Sequence, residues 1–189
     1  ELSGTIRTAE TASNMSKGNV TVIDSRYISK AMSFQVLEAA RMAGLGKSIQ
    51  EITDKLKQIR ENTRLLIYVD TLENLSKGGR IGKAKALLGS LLKVKPIAAL
   101  VDGEYTPLGM VRSKTQAVNF LVKHFTEDVK GKVVKGVEIA HAEGLDLAQK
   151  VKKRIAEKVN KDNIHITYTS PVISTHTGPG ALALMYHFE

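Results

Sequence analysis

The sequence predicts an α/β fold in two units, residues 1–70 and 71–189. Short β-branched or apolar runs alternate with longer segments of helical composition, the pattern of a sheet covered by helices. Gly18, Gly44, Gly46, Gly78, Gly79 and Gly103 mark joints between those segments. At 189 residues the chain is long enough to bury a substantial core.

In the first unit, residues 3–17 read as a helix that Ser3 or Thr5 can cap and Gly18 can end. Residues 20–24, Val-Thr-Val-Ile-Asp, read as a short strand. Two helical segments follow, near 27–43 and 49–62, separated by Gly44 and Gly46. The second opens on a capping box, Ser48 with Glu51 three residues later. Residues 64–70 supply another apolar strand, and the helices of this unit are expected to pack on a mainly parallel sheet.

The second unit begins with a helical turn carrying Leu72 and Leu75, broken by Gly78 and Gly79. A helix over 83–92 is expected before Pro96. Residues 97–101, the turn at Asp102-Gly103 and residues 108–112 predict a β-hairpin with a slightly long loop containing Pro107. Residues 113–125 are amphipathic, with Ala117, Val118, Leu121, Val122 and Phe125 at helical spacing. Strands at 133–140 and 164–168 flank a helix at 143–159, giving a mixed sheet. Val172 and Ile173 then read as strand-like and lead into Ser-Thr-His-Thr-Gly-Pro-Gly, residues 174–180, where the chain must turn. Residues 181–188 are apolar and return to the sheet.

Composition excludes several functions. Without cysteine there is no disulfide, thiolate metal site or cysteine nucleophile. No apolar run approaches the roughly 18 residues of a membrane span, and no signal peptide is visible, so the expected location is cytoplasmic. The chain opens on Glu1 in what reads as the middle of a domain, so a fragment is expected.

The formal charge is +9, and no acid stands between Glu73 and Asp102, a gap holding Lys77, Arg80, Lys83, Lys85, Lys93 and Lys95. Such an excess concentrates phosphate, carboxylate, nucleic acid or a membrane surface nearby. A solvated helix face accounts for most of the lysines, whereas Arg80, between Gly79 and Ile81, stands apart.

The five histidines are scattered, with none at metal-ligand spacing from another. Gly-Gly-Arg-Ile-Gly-Lys-Ala lacks the hydroxyl that a phosphate-binding loop needs for magnesium. Aromatics make up 5% of the chain and none interrupts the basic stretch, which removes the stacking platforms of single-strand nucleic-acid binding. No Gly-x-Ser-x-Gly elbow supports a serine hydrolase. Ser3 reads instead as a hydrogen-bond donor at a helix start, and His176 as an imidazole that can donate to an anion beside close-packed glycines.

These pieces together resemble the DegV family, whose fatty acid kinase B members bind free fatty acids. The likeness rests on Leu2-Ser3-Gly4-Thr5, Val22-Ile23-Asp24-Ser25, Val69-Asp70-Thr71-Leu72, Gly78-Gly79-Arg80-Ile81, residues 84–92, Lys95-Pro96-Ile97, residues 109–112 and His176-Thr177-Gly178-Pro179-Gly180-Ala181. They occur in the family's order along the whole chain. The resemblance implies a two-domain α/β protein with a truncated first domain, holding a fatty acid in an apolar tunnel as a ligand and using no cofactor.

It also implies a separate fatty acid kinase that phosphorylates the bound carboxylate to an acyl phosphate, with transient membrane contact allowed. Ser3 and His176 would contact the carboxylate, while Arg80 and Arg112 would recognise the phosphate or dock the kinase. The family has a further amino-terminal stretch, with a threonine and strands that complete the site, that this sequence lacks. Two rivals stand beside this expectation. An autonomous phosphotransferase or hydrolase would turn over without a partner, and a nucleic-acid binder would show steep salt dependence.

Overall fold

The computed structural model describes residues 2–87, 94–159 and 163–189 of the chain. Its elements are α1 (Thr5–Met15), α2 (Ser29–Gly44), α3 (Ile49–Glu61), β1 (Thr63–Tyr68), α4 (Glu73–Lys77), a 3₁₀ turn (Gly82–Leu87), β2 (Lys95–Val101), β3 (Glu104–Val111), α5 (Lys114–Asp128), β4 (Val134–His141), α6 (Leu145–Val159), β5 (His165–Tyr168), α7 (Pro171–Thr177) and β6 (Leu182–Phe188). The strands form one mixed sheet in the order β3-β2-β1-β6-β4-β5. Among the described residues only the β4–β5 pair is parallel.

Register decides where chemistry can gather. Tyr68 of β1 pairs with Leu182 of β6, which pairs with His141 of β4, which pairs with Tyr168 of β5. Lys95 at the start of β2 pairs with Val111 at the end of β3. One end of the sheet therefore collects the segments that follow β1, β3, β4 and β5 and those that precede β2 and β6. The glycine turn at 178–180 and Arg112 both emerge there.

The two faces of the sheet bury different side chains because successive residues of a strand point opposite ways. On one face Leu66, Tyr68, Ile139, Leu184 and Tyr186 pack against Leu121 and Phe125 of α5 and Val151 and Ile155 of α6. The five apolar residues of α5 at helical spacing are all buried, as the sequence predicts. On the other face Leu65, Ile67, Ala98, Ala140, Ala181 and Met185 meet Ala31 of α2 and Leu75 of α4.

Residues 20–24, expected as a strand, form none. The Ser13 hydroxyl donates to the Val20 carbonyl (3.2 Å) and the Arg60 guanidinium to the Asp24 carbonyl (3.0 Å), so side chains hold carbonyls that a strand would offer a neighbour. Among the described residues the first 70 contribute only β1, whose neighbours β2 and β6 are both antiparallel to it, so the parallel sheet expected there is not found.

The capping box at α3 is present, with the Ser48 hydroxyl accepting from the Glu51 N–H and the Glu51 carboxylate accepting from the Ser48 N–H. In the hairpin, Asp102 (φ 50°) and Gly103 (φ 80°) make a two-residue turn, tighter than expected. Pro107 lies inside β3, opposite Ala98 at a register shift. β3 is an edge strand with an irregularity at this point, the setting in which a sheet tolerates a residue without an N–H.

Two further segments differ from expectation. Residues 83–92 open as a 3₁₀ turn, and residues 88–92 lie outside the described residues. Val172 and Ile173 belong to α7 rather than to a strand, because Ser170 caps that helix and Pro171 takes its first position.

Candidate functional site

Two glycine turns interlock at the loaded end of the sheet. The Cα of Gly78, just past α4, lies so close to the His176 imidazole that a side-chain carbon there would meet Nδ1. Reciprocally, Gly178 (φ 74°), at the end of α7, lies where a side-chain carbon would meet the Asn74 amide of α4. Only glycine allows both approaches. Gly180 fastens the turn by donating its N–H to the Ala142 carbonyl at 2.7 Å.

His176 is held with its Nδ1 buried against Gly78 and without a hydrogen-bond partner. A buried lone pair without a partner is tolerated better than a buried N–H without an acceptor, so the proton belongs on Nε2, which is then a donor. The neighbouring Thr177 hydroxyl is likewise buried and unpartnered. Ser3 sits exposed before α1, its hydroxyl 2.7 Å from that of Thr5 and accepting the Thr5 N–H. It is not the capping residue of α1, whose cap position is Gly4.

Arg80 links these pieces. Its Nε donates to the Leu2 carbonyl (3.3 Å) and its Nη1 to the Gly78 carbonyl (2.8 Å). Leu2 in turn packs against the buried cluster that contains Leu75 and Ile81. Arg80 thus joins the residue before Ser3 to the glycine on which His176 is seated, while neither Ser3 nor His176 lines the two clefts described below. Arg112 stands elsewhere on the same sheet end, exposed, its N–H given to Gln116 and its guanidinium without a partner among the described residues.

Three of the six bases in the basic stretch pair with the acids that flank it. Lys77 pairs with Glu73 (3.6 Å), Lys83 with Glu104 (3.3 Å) and Lys95 with Asp70 (2.6 Å); Lys93 lies outside the described residues.

The group beneath the glycine turn has no counterpart among the residues singled out above. Asp70 Oδ1 accepts from Lys95 (2.6 Å) and from the Tyr68 hydroxyl (2.5 Å), while Oδ2 lies where a side chain on Gly180 would stand. Burial opposes ionisation of Asp70, but the Lys95 and Tyr68 hydrogen bonds outweigh it and hold the carboxyl below its ordinary value. Asp70 and Lys95 fall within the family motifs, yet their 25-residue separation hides the contact.

Two shallow apolar clefts lie on the alanine-rich face among the described residues. The larger runs between Ile28, Leu65, Ile67, Ala140 and Ala183 and reaches Ile173 and Thr177 of α7. The smaller lies among Val69, Leu72, Leu75, Ala84 and Pro96. Ile67 and Tyr105 line both. Burial pushes the Tyr105 hydroxyl up to about 12, so it stays neutral.

His141 also lines the larger cleft. Its Nδ1 accepts the Gly144 N–H (3.2 Å), its ring lies 4.4 Å from that of Tyr168, and burial lowers its pKa. Among the described residues no group of three or more acids or histidines could hold a metal ion, and no helix is long and apolar enough to cross a membrane.

Comparison with known proteins fits this architecture. A family model described as "Uncharacterised protein, DegV family" matches residues 1–189. A DegV domain-containing protein of Staphylococcus aureus (strain MRSA252) is 41% identical over 184 residues, which are 97% of this chain and 66% of that protein. The chain thus spans about two thirds of the length of the curated relatives it matches.

Among solved structures, one described as fatty acid binding of a DegV family protein from Thermus thermophilus superposes with a TM-score of 0.92 at 29% identity, covering 98% of this chain and 67% of that one. The Streptococcus pneumoniae Fatty Acid Kinase (Fak) B3 protein loaded with linoleic acid shares the fold, with a TM-score of 0.86 at 24% identity over 100% of this chain and 68% of that one. With its whole length matched and its fold shared, this chain belongs to the DegV family.

Proposed function

We propose that the chain binds a long-chain fatty acid along the alanine-lined clefts and presents its carboxylate to a separate kinase, which converts it to an acyl phosphate. The observation that carries this reading is the apolar cleft ending at α7, the helix that bears His176. Each methylene withdrawn from water contributes about 0.8 kcal/mol, so an apolar cleft supplies most of the affinity for such a ligand. The acid end then needs donors, because a carboxylate buried without them is costly. Ser3 and His176 Nε2 are the donors on this reading.

Arg112 suits the later step. Its guanidinium, without a partner among the described residues, can fork onto phosphate oxygens or onto a partner's acids. Phosphoryl transfer depends on positioning and electrostatics, so a protein that only presents the acid contributes to it. The fatty acid of the Thermus thermophilus relative and the kinase in the name of the Streptococcus pneumoniae protein support this assignment.

Lipid extraction and mass spectrometry of the freshly purified chain test the first half, with a bound fatty acid as the expected result. Protein that carries none, and takes up none when offered palmitic acid, overturns it. For the second half, adding a fatty acid kinase and ATP should yield acyl phosphate. The same yield without the kinase would make the chain an enzyme in its own right.

A further inference from the structure

The geometry points to Thr177 as the residue that sets which way round a fatty acid lies in the larger cleft. This inference rests on the fatty-acid reading above. α7 turns Ile173 and Thr177, four residues apart and so on one helix face, toward that cleft. Thr177 is only 3% exposed, and its hydroxyl has no hydrogen-bond partner among the described residues.

Its neighbours in the helix differ in that respect. The Ser174 and Thr175 hydroxyls both donate to the Pro171 carbonyl, at 3.1 and 2.8 Å, the ordinary recourse of a hydroxyl on a helix. Thr177 makes no such bond. A hydroxyl withdrawn from water without a partner is unfavourable, and a methyl end laid over it leaves it so, whereas a ligand oxygen satisfies it.

The sheet register places this hydroxyl at one end of the cleft rather than along it. Thr169, which also lines the cleft, lies two residues beyond Thr167, the partner of Ala140, and so on the same face of the sheet. Its N–H is given to the His141 carbonyl at 2.9 Å, which keeps it beside the last residue of β4. From there the cleft runs down the strands over Ala140, Ala183, Ile67 and Leu65, side chains without a polar atom. The α7 end therefore suits an oxygen and the remainder a hydrocarbon tail, so the acid end leaves the cleft beside His176, the residue before Thr177.

Stearic acid carrying a nitroxide at carbon 5 or at carbon 16 is the probe, read by the broadening of the Gly178 amide signal in NMR spectra of the full chain. The expected result is strong broadening from the carbon-5 label and little from the carbon-16 label. Thr177→Val, which keeps the shape and removes the hydroxyl, should bring the two labels to comparable effect. It should also weaken palmitic acid binding about tenfold, the loss of one hydrogen bond to a charged group. Its melting temperature should be unchanged or higher, and Thr177→Ser should restore the original pattern.

Stronger broadening from the carbon-16 label in the unsubstituted chain, or an unaltered pattern and affinity in Thr177→Val, overturns the inference. A lowered melting temperature in Thr177→Val also overturns it, because the hydroxyl then serves the fold. Failure of the unsubstituted chain to bind either labelled acid overturns the fatty-acid reading itself, and this inference with it.

Discussion

The two faces of the one sheet are built to different rules. The face under α5 and α6 carries large side chains in close contact, such as Phe125 edge-on to Tyr186 at 4.9 Å. The opposite face draws six of its fourteen buried apolar residues from alanine, against three of twenty-one on the first, among the described residues. Both clefts open on the alanine-rich face. Small side chains there leave clefts where large ones on the other face have filled the space, so one face is closely packed while the other is more open.

That division can be broken from either side. Phe125→Ala, on the filled face, should cost about 3–5 kcal/mol, since it removes a fully buried ring and leaves a cavity. Chemical denaturation measures the loss, and a small one would show that the filled face is not where stability resides. Ala183→Leu, in the wall of the larger cleft, should do the reverse. It displaces about three methylenes of ligand at ~0.8 kcal/mol each, roughly a 50-fold loss of palmitic acid affinity. Stability should change by less than about 1 kcal/mol, because the added atoms enter open space. A strongly destabilised variant would mean that the cleft is packed rather than roomy.

The smallest effect expected is on pH. Burial lowers the pKa of His141, at the cleft, and of His187, whose ring lies 6.0 Å from Phe34 of α2. Below their ordinary value of 6.5 the unfolded chain takes up protons that the folded imidazoles refuse, so stability should decline as pH falls through that range. Melting curves at pH 7.5 and 5.5 test the sign, and His141→Gln should flatten part of the slope.

The filled face was the more legible one in the sequence. Its α5 contacts follow from helical spacing alone, and the capping box at α3 and the hairpin turn follow from local chemistry. The open face and the site were less so. Ser3, His176, Arg80 and Arg112 stood out through a family's motifs, not through periodicity. The seating of His176 on Gly78, and of Asp70 beneath Gly180, joins segments about a hundred residues apart, and nothing local to either announces the other. The strand expected at 20–24 shows the converse error. β-branched residues favour a pleated surface, but side chains from α1 and α3 claimed their carbonyls first.

The register shift at Pro107 has a bearing on how this protein behaves when concentrated. An outermost strand with a free row of amides is a template on which another copy can grow, and β3 interrupts its row with a proline, which has no N–H, and a register shift. The opposite border, β5, is only four residues long. A protein with oily clefts on one face thus offers poor footing at both rims for the stacking that leads to fibrils.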